Sequence, residues 1–441
     1  MNLEHKYIQR LLTVLANTAR IFVAITFILS GFLKANDITG TVYKIQEYFI
    51  AWGWSNLSMG NSPTALAWIL ATIEFWIGVN LFFGIRYKTS LFFATLIMSV
   101  MTPITVWLAW SNAVADCGCF GDAIVLTHWE TVGKNIVLLG ALYVCIRLRH
   151  RVIKLVTDKV NWLIPLYSLL YILLFMGYTS ENLPIFDFRP YHIASNIQSY
   201  MEIPAGKQPT EYETTFLYQK GKEQKVFTID ALPEDSTWQF IDAQTRIKSV
   251  GYEPPIKDFH ITAIANDEDI SEQILNTDTY IFLLISPWLA QADDSEMDRI
   301  NSLYDYARSY NYPFYCITAS HDEDIRNWEE NTGAEYPFAR MDATALKSMI
   351  RSNPGVLMIK KGVVINKWSD RNIPHEEWLN NSMDKLPYGK INLRSAQRKA
   401  FELVMLFVLP LFVLSLLDLL WERWKRYRKR ISTTNTPQTE I

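Results

Sequence analysis

Cysteine is scarce in this chain: four occur in 441 positions, too few for a disulfide-scaffolded secreted domain. Neither sign of charge is in excess, with 42 Lys and Arg against 45 Asp and Glu, so no global basic field points to nucleic acid. There is no legible Ser/His/Asp set, phosphate-binding loop or cluster of metal-ligating side chains, and these absences favour a non-enzymatic reading. The paired broken helices and inverted repeats of secondary transporters are missing as well.

What is present is apolar. Six stretches, near 12–35, 65–84, 90–110, 131–148, 162–178 and 399–421, are long enough to cross a bilayer as helices. Arg20 interrupts the first, which is tenable only if that side chain snorkels or faces the bundle. No small-residue cleavage site follows it, which predicts an uncleaved signal anchor. If the helices alternate, Lys6, Arg10, Arg86, Lys88, Arg147, Arg149, Arg151, Lys154 and the run Arg423 to Arg430 share one side, expected to be the cytoplasm. The sequence thus predicts a multi-pass protein of the cytoplasmic (inner) membrane with both termini cytoplasmic. The terminal basic run reads as a stop-transfer anchor against anionic lipid, not a nucleic-acid site.

The polar stretch between the fifth and sixth helices falls on the extracytoplasmic side. Over 179–254, Pro184, Pro190, Pro204 and Pro209 break any long helix, and short alternating runs predict a β-rich or extended connector. From 255 to 392 the pattern regularises. Tyr280 to Ile285 reads as a buried strand, 293–310 as a helix, Phe314 to Thr318 as a strand, 321–331 and 343–351 as helices, and Val356–Ile359 with Val363–Trp368 as paired strands. That βαβα(α)ββ order resembles the thioredoxin-like fold, with Asn353-Pro354-Gly355 where the family carries its cis-proline. Ile256 to Phe259 resembles the opening strand of that superfamily's membrane-tethered thiol reductases and peroxiredoxins. Where the family places Cys-x-x-Cys, this chain has Ser286-Pro-Trp288-Leu-Ala-Gln291. The resemblance therefore implies a redox-silent binding domain, with Pro287 and Trp288 either an apolar docking surface or core packing.

Two of the four cysteines stand one glycine apart in Asp116-Cys117-Gly118-Cys119-Phe120-Gly121-Asp122, on the same extracytoplasmic side. Glycine eases closure of so small a disulfide ring, and strained, exposed disulfides are the labile and catalytic ones. Three readings stay open: redox exchange, a static clamp, or metal binding, the last short of ligands because His128 is the only nearby imidazole. Asp116 and Asp122 are expected to raise both thiol pKa values. Cys145, in an apolar helix, and Cys316, in a predicted core strand, read as small buried hydrophobes.

Arg20-Ile-Phe-Val, Ser30-Gly31-Phe-Leu-Lys34-Ala-Asn-Asp37, Gly40, Lys44 and Glu47-Tyr48 resemble the first helix and following loop of DoxX-type membrane proteins. The Cys117-Gly-Cys119-Phe-Gly121 run after a third helix resembles the MauE (methylamine utilisation) branch of that superfamily. The two together cover about 12–150. The resemblance implies a four-helix membrane core tied to quinone-linked oxidation or to maturation of disulfide-containing periplasmic proteins. Glu74, mid-membrane, reads as a proton relay, a quinone contact, or a packing carboxylate paired with Lys34 or Arg20. Lys34 and Asp37 are expected to cluster beneath the thiol loop as a polar site or a salt bridge.

The fold class expected is a membrane helical bundle with an inserted extracytoplasmic α/β thioredoxin-like domain. Its parts are a DoxX/MauE-like core over 1–150, a fifth helix over 151–178, the connector over 179–254, the thioredoxin-like domain over 255–392, the sixth helix and basic anchor over 393–430, and a disordered tail over 431–441. The function expected is thiol–disulfide or electron exchange at Cys117 and Cys119 with an extracytoplasmic protein client, linked to quinone near Glu74. The rival is a scaffold that recruits envelope proteins and carries a structural disulfide.

Overall fold

A chain in hydrocarbon must satisfy its own backbone hydrogen bonds, so long apolar runs become helices. In the computed structural model, which describes residues 3–434 except 222, 229, 230, 233, 234, 236 and 250, this holds for every such run. The helices are α1 (Leu3–Asn36), α2 (Ile38–Ala51), α3 (Ser55–Ser58), α4 (Ser62–Phe83), α5 (Tyr87–Ser111), α6 (His128–Arg147), α7 (Leu163–Glu181) and a C-terminal helix, Leu393–Thr434. Six of them, α1, α4, α5, α6, α7 and the C-terminal helix, are long and apolar enough to cross a membrane. They belong to one compact unit made of Met1–Arg189, Trp368–Ile373 and Asn392–Ile441. Residues 179–189 thus go with the helices rather than with the connector: the Asn36 amide donates to Phe186 O at 2.8 Å and accepts from Phe186 N at 3.0 Å.

Helices α1 and α4 cross in close contact, and two glycines make it possible. A Cβ on Gly31 would stand 2.4 Å from the Phe75 nitrogen, and one on Gly78 would stand 2.5 Å from the Ile28 nitrogen. Small residues let helix backbones touch where lipid supplies no hydrophobic drive. Arg20 faces the bundle: its guanidinium donates to Leu81 O and Phe82 O at 3.1 Å each, meeting carbonyls of the last turn of α4, where a cation is favoured. The C-terminal helix is held at Asp418, whose carboxylate accepts from Thr157 N and Thr157 Oγ1 at 2.7 and 2.8 Å. That helix continues through 431–434, which the sequence assigned to a disordered tail; residues 435–441 lie outside the described residues.

The second unit comprises Pro190–Lys367 and Pro374–Ile391. A short helix, α8 (Ile197–Met201), precedes strands β1 (Glu211–Lys220), β2 (Glu223–Thr228) and β3 (Gln239–Ser249). These form an antiparallel sheet in the order β2-β1-β3, so the expected β-rich connector is a defined three-stranded sheet with β1 at its centre. Beyond it come β4 (Thr262–Ala263), α9 (Ser271–Asn276), β5 (Ile281–Ser286), α10 (Met297–Ser309), β6 (Phe314–Thr318), α11 (Asp322–Thr332), β7 (Phe338–Arg340), α12 (Ala343–Met349), β8 (Gly355–Lys360) and β9 (Val363–Ser369). The sheet order is β4-β7-β6-β5-β8-β9, with β5, β6 and β7 parallel and β8 antiparallel to β5. Every residue of β5 is buried, as a central strand covered on both faces requires. This is a thioredoxin-like α/β sheet, and the Asn353–Pro354 bond before β8 is cis.

One detail of that resemblance is corrected. Ile256 to Phe259 form no strand; the first strand of the sheet is the two-residue β4, because Ile256 and Phe259 are spent as core anchors at 3% exposure each. At the corner after β5, Ser286 Oγ donates to Asn353 Oδ1 at 2.6 Å and Asn353 Nδ2 donates to Trp288 O at 3.0 Å. Leu289 N is bound by Ser320 Oγ at 2.8 Å. Polar side chains thus fasten the place where the fold family carries its cysteines.

Candidate thiol site

Asp116, Cys117 and Cys119 of the α5–α6 loop are fastened by α1 and α2, and Gly118 by Asp116. Asp116 Oδ1 accepts from Gly118 N at 2.8 Å in an Asx-type turn, and Asp116 Oδ2 pairs with Lys44 at 3.1 Å. The Tyr48 hydroxyl donates to Cys117 O at 3.1 Å. Cys119 O accepts twice, from Ser30 Oγ at 2.8 Å and from Lys34 Nζ at 3.0 Å. Gly118 has φ +68°, and a Cβ there would stand 2.6 Å from Lys44 Cγ, so both the backbone and the space require glycine.

This fastening brings the two sulfurs to 2.9 Å, as free thiols. Cys117 is 6% exposed, packed with Tyr48, Leu108, Val114, Trp52 and Trp107. Cys119 is half-buried and opens on a small cavity. Cys145 and Cys316 are buried elsewhere, as small apolar side chains. Among the described residues no group of three or more His, Cys, Asp or Glu could hold a metal ion.

Beneath Cys119, α1, α4, α5 and α6 converge on a cavity of about 40 Å³ lined by Ser30, Lys34, Glu74, Lys134 and Asn135 among apolar side chains. The close approach of α1 to α4 sets Lys34 Nζ 2.7 Å from Glu74 Oε2, with Ser30 Oγ also at 2.7 Å. Both charged side chains are 9% exposed. Lys134 comes from α6, its ammonium 4.7 Å from the centre of the Phe120 ring. Asn135 Nδ2 donates to Thr105 Oγ1 at 3.0 Å and so braces α6 on α5. Lys134 is the one charged side chain in the apolar part of α6 before Arg147, and on that ground the sequence could have flagged it.

The electrostatics divide the two thiols. Cys119 is held down to about 6, first because the Cys117 thiol donates to it; burial and Glu74 oppose this, and Lys134 and Lys34 reinforce it. Cys117 is pushed up by the same hydrogen bond, by burial and by the negative charge on Cys119. Burial above all raises the Tyr48 phenol and keeps it a donor. Burial works to lower the Lys44 ammonium, but Asp116 and Glu47 outweigh it and raise it. The expectation that the flanking aspartates would raise both thiols is thus corrected: Asp116 spends its charge on Lys44 and on the Gly118 amide, while two lysines lie nearer Cys119.

Asp37 also departs from expectation. It caps α2, accepting from Gly40 N at 2.9 Å, and lines a separate cleft with Asp122, Asp187 and Arg189, whereas Lys34 turns inward to Glu74. The cavity beside Glu74 is small, about 40 Å³. A larger apolar groove of about 620 Å³ is lined by Phe32, Phe75, Tyr171 and Phe407 on α1, α4, α7 and the C-terminal helix.

Comparison with known proteins bears on two segments. Residues 12–148 match the family model of the methylamine utilisation protein MauE. Residues 212–249, which span the three-stranded sheet of β1, β2 and β3, match a domain of unknown function, DUF8463. Among solved structures, the chain is similar to the "solution structure of a putative protein disulfide isomerase from Bacteroides thetaiotaomicron", at 15% identity over 27% of this chain and 78% of that one, with a TM-score of 0.23. No curated protein matches it. The matched segment contains α4, α5, α6 and α1 from residue 12 on, together with the whole thiol loop. The chain is a multi-pass membrane protein whose helices over residues 12–148 form a MauE-like region.

Proposed function

We propose that the chain is a membrane thiol–disulfide exchange protein in which Cys119 attacks and Cys117 resolves. The observation that carries this reading is the asymmetry of the pair: sulfurs 2.9 Å apart, with the half-buried one held down to about 6 and the buried one pushed up. Exchange requires a thiolate to attack and a neighbouring thiol to follow. Cys119 Sγ attacks one sulfur of a client disulfide and expels the other as a thiolate. Cys117 then loses its proton and attacks Cys119 Sγ, the first client sulfur leaves, and two electrons have passed to the client. Run backwards, the same steps carry two electrons from a client dithiol to the pair.

We place the loop and the thioredoxin-like unit on the extracytoplasmic side of the inner membrane, because Lys6, Arg10, Arg86, Lys88, Arg147 and Arg149 gather at the other helix ends. The likeness of the first helix and its following loop to DoxX-type proteins accords with this arrangement. The thioredoxin-like unit, without cysteine at the corner after β5, acts in this reading as a binding module for the protein client. Trp288 at that corner remains 37% exposed.

The many fastenings of the loop favour one rival, a scaffold whose Cys117–Cys119 disulfide is a permanent clamp. Thiol trapping of the full chain in cells separates the two. A mixture of reduced and oxidised pair, with client oxidation state changed by Cys117→Ser and by Cys119→Ser, is the expected result. Permanent oxidation, or variants that leave the client untouched, leaves the scaffold.

A further inference from the structure

The cavity under Cys119 contains more positive than negative charge unless Cys119 itself is an anion. Lys34 and Lys134 supply two ammonium groups, and Glu74 supplies one carboxylate. Outside the cavity, Asp116 and Glu47 both pair with Lys44, while Asp122, Asp37, Asp187 and Arg189 line a separate cleft. An unmatched charge is costly at the end of an apolar bundle, where the surroundings screen poorly. A thiolate at Cys119 supplies the missing negative charge. A Cys117–Cys119 disulfide supplies none.

On the exchange reading above, we propose that Lys34 and Lys134 are positioning residues that stabilise the reduced pair over the disulfide, so that the disulfide is an oxidant and its substrates are protein dithiols. A redox pair becomes oxidising when its reduced form is the stabilised one. The direction of exchange follows. One client thiolate attacks the accessible Cys119 Sγ; the Cys117 sulfur leaves and takes up a proton. The second client thiolate attacks its partner sulfur in the mixed disulfide and expels Cys119 as a thiolate into the field of the two lysines. The client has lost two electrons and gained a disulfide. The pair has gained those two electrons and ends as one thiol and one thiolate.

The test is the equilibrium of the full-length purified protein with reduced and oxidised glutathione at fixed pH, with the state of Cys117 and Cys119 read by alkylation and peptide mass. In Lys134→Met the equilibrium constant for reduction by glutathione is expected to fall at least tenfold, about 30 mV toward a less oxidising couple. Lys34→Met is expected to move it the same way and Glu74→Gln the opposite way. Lys134 makes no ion pair with Glu74, so Lys134→Met keeps the test usable if the buried pair cannot be broken without unfolding. A constant unchanged or raised in Lys134→Met overturns the proposal while leaving exchange intact. A pair that stays in one oxidation state in every glutathione buffer overturns exchange itself, and the proposal with it.

Discussion

The Lys34–Glu74 pair is the strongest test of how the bundle shapes the thiol site. Replacing Glu74 by Ala leaves the Lys34 ammonium in a place only 9% exposed, where bulk water cannot replace the lost partner. Lys34 would keep two acceptors, Ser30 Oγ at 2.7 Å and Cys119 O at 3.0 Å, which sets the loss at the lower end of the range for breaking a buried pair, about 3 kcal/mol. Lys34→Met should cost more, about 4–5 kcal/mol, because it leaves the carboxylate buried without the donor at 2.7 Å and frees Cys119 O as well. The double variant Lys34→Met/Glu74→Leu removes both charges and should recover at least about 2 kcal/mol of the summed single losses. Unfolding of the purified variants in one detergent, analysed as a double-mutant cycle, measures this. Single losses below about 1 kcal/mol, or additive ones, would refute the idea that a desolvated ion pair supports the loop.

Further predictions concern the loop itself. Alkylation of Cys119 by a small reagent should follow its thiolate: slow below pH 5, half-maximal near 6 and flat above 7, whereas an ordinary thiol is half-maximal only near about 8.5. A rate that rises tenfold per pH unit through 7.5 contradicts the assigned asymmetry. Gly118→Ala forces a Cβ into the left-handed region and against Lys44, which should cost about 1–2 kcal/mol and lower the tendency of the pair to close roughly tenfold in a glutathione equilibrium. Gly31→Val, with its Cβ against the Phe75 nitrogen, should part α1 from α4 and lower the yield of folded protein, seen by size-exclusion chromatography.

Much of the architecture is legible because it depends on local pattern. Six apolar runs became six helices with ends shifted by a few residues, save at the termini, where α1 begins at Leu3 and the last helix runs on to Thr434. The alternation from Tyr280 to Trp368 likewise foretold β5 through β9 except the three-residue β7, too short for any periodicity to register. Ile256 to Phe259 misled because its likeness to the superfamily's opening strand rests on two apolar positions that here are buried without forming a strand. At the site, Cys117, Cys119, Lys34 and Glu74 could be picked out singly as unusual residues, but their conjunction rests on Gly31 and Gly78, whose role is visible only where the helices cross. The thiol electrostatics were misjudged for the same reason. Asp116 is a neighbour in sequence, whereas Lys34 and Lys134 are distant in sequence and close in space.

The central claim is that Cys119 attacks and Cys117 resolves, and trapping with oxidised glutathione measures it most directly. Purified Cys117→Ser should accumulate a glutathione mixed disulfide on Cys119, because no thiol remains to displace it, while the reduced wild-type pair should pass through that species to its own disulfide. Cys119→Ser should remain unmodified at Cys117. Equal adducts at both positions, or none on Cys119 in Cys117→Ser, would contradict the account.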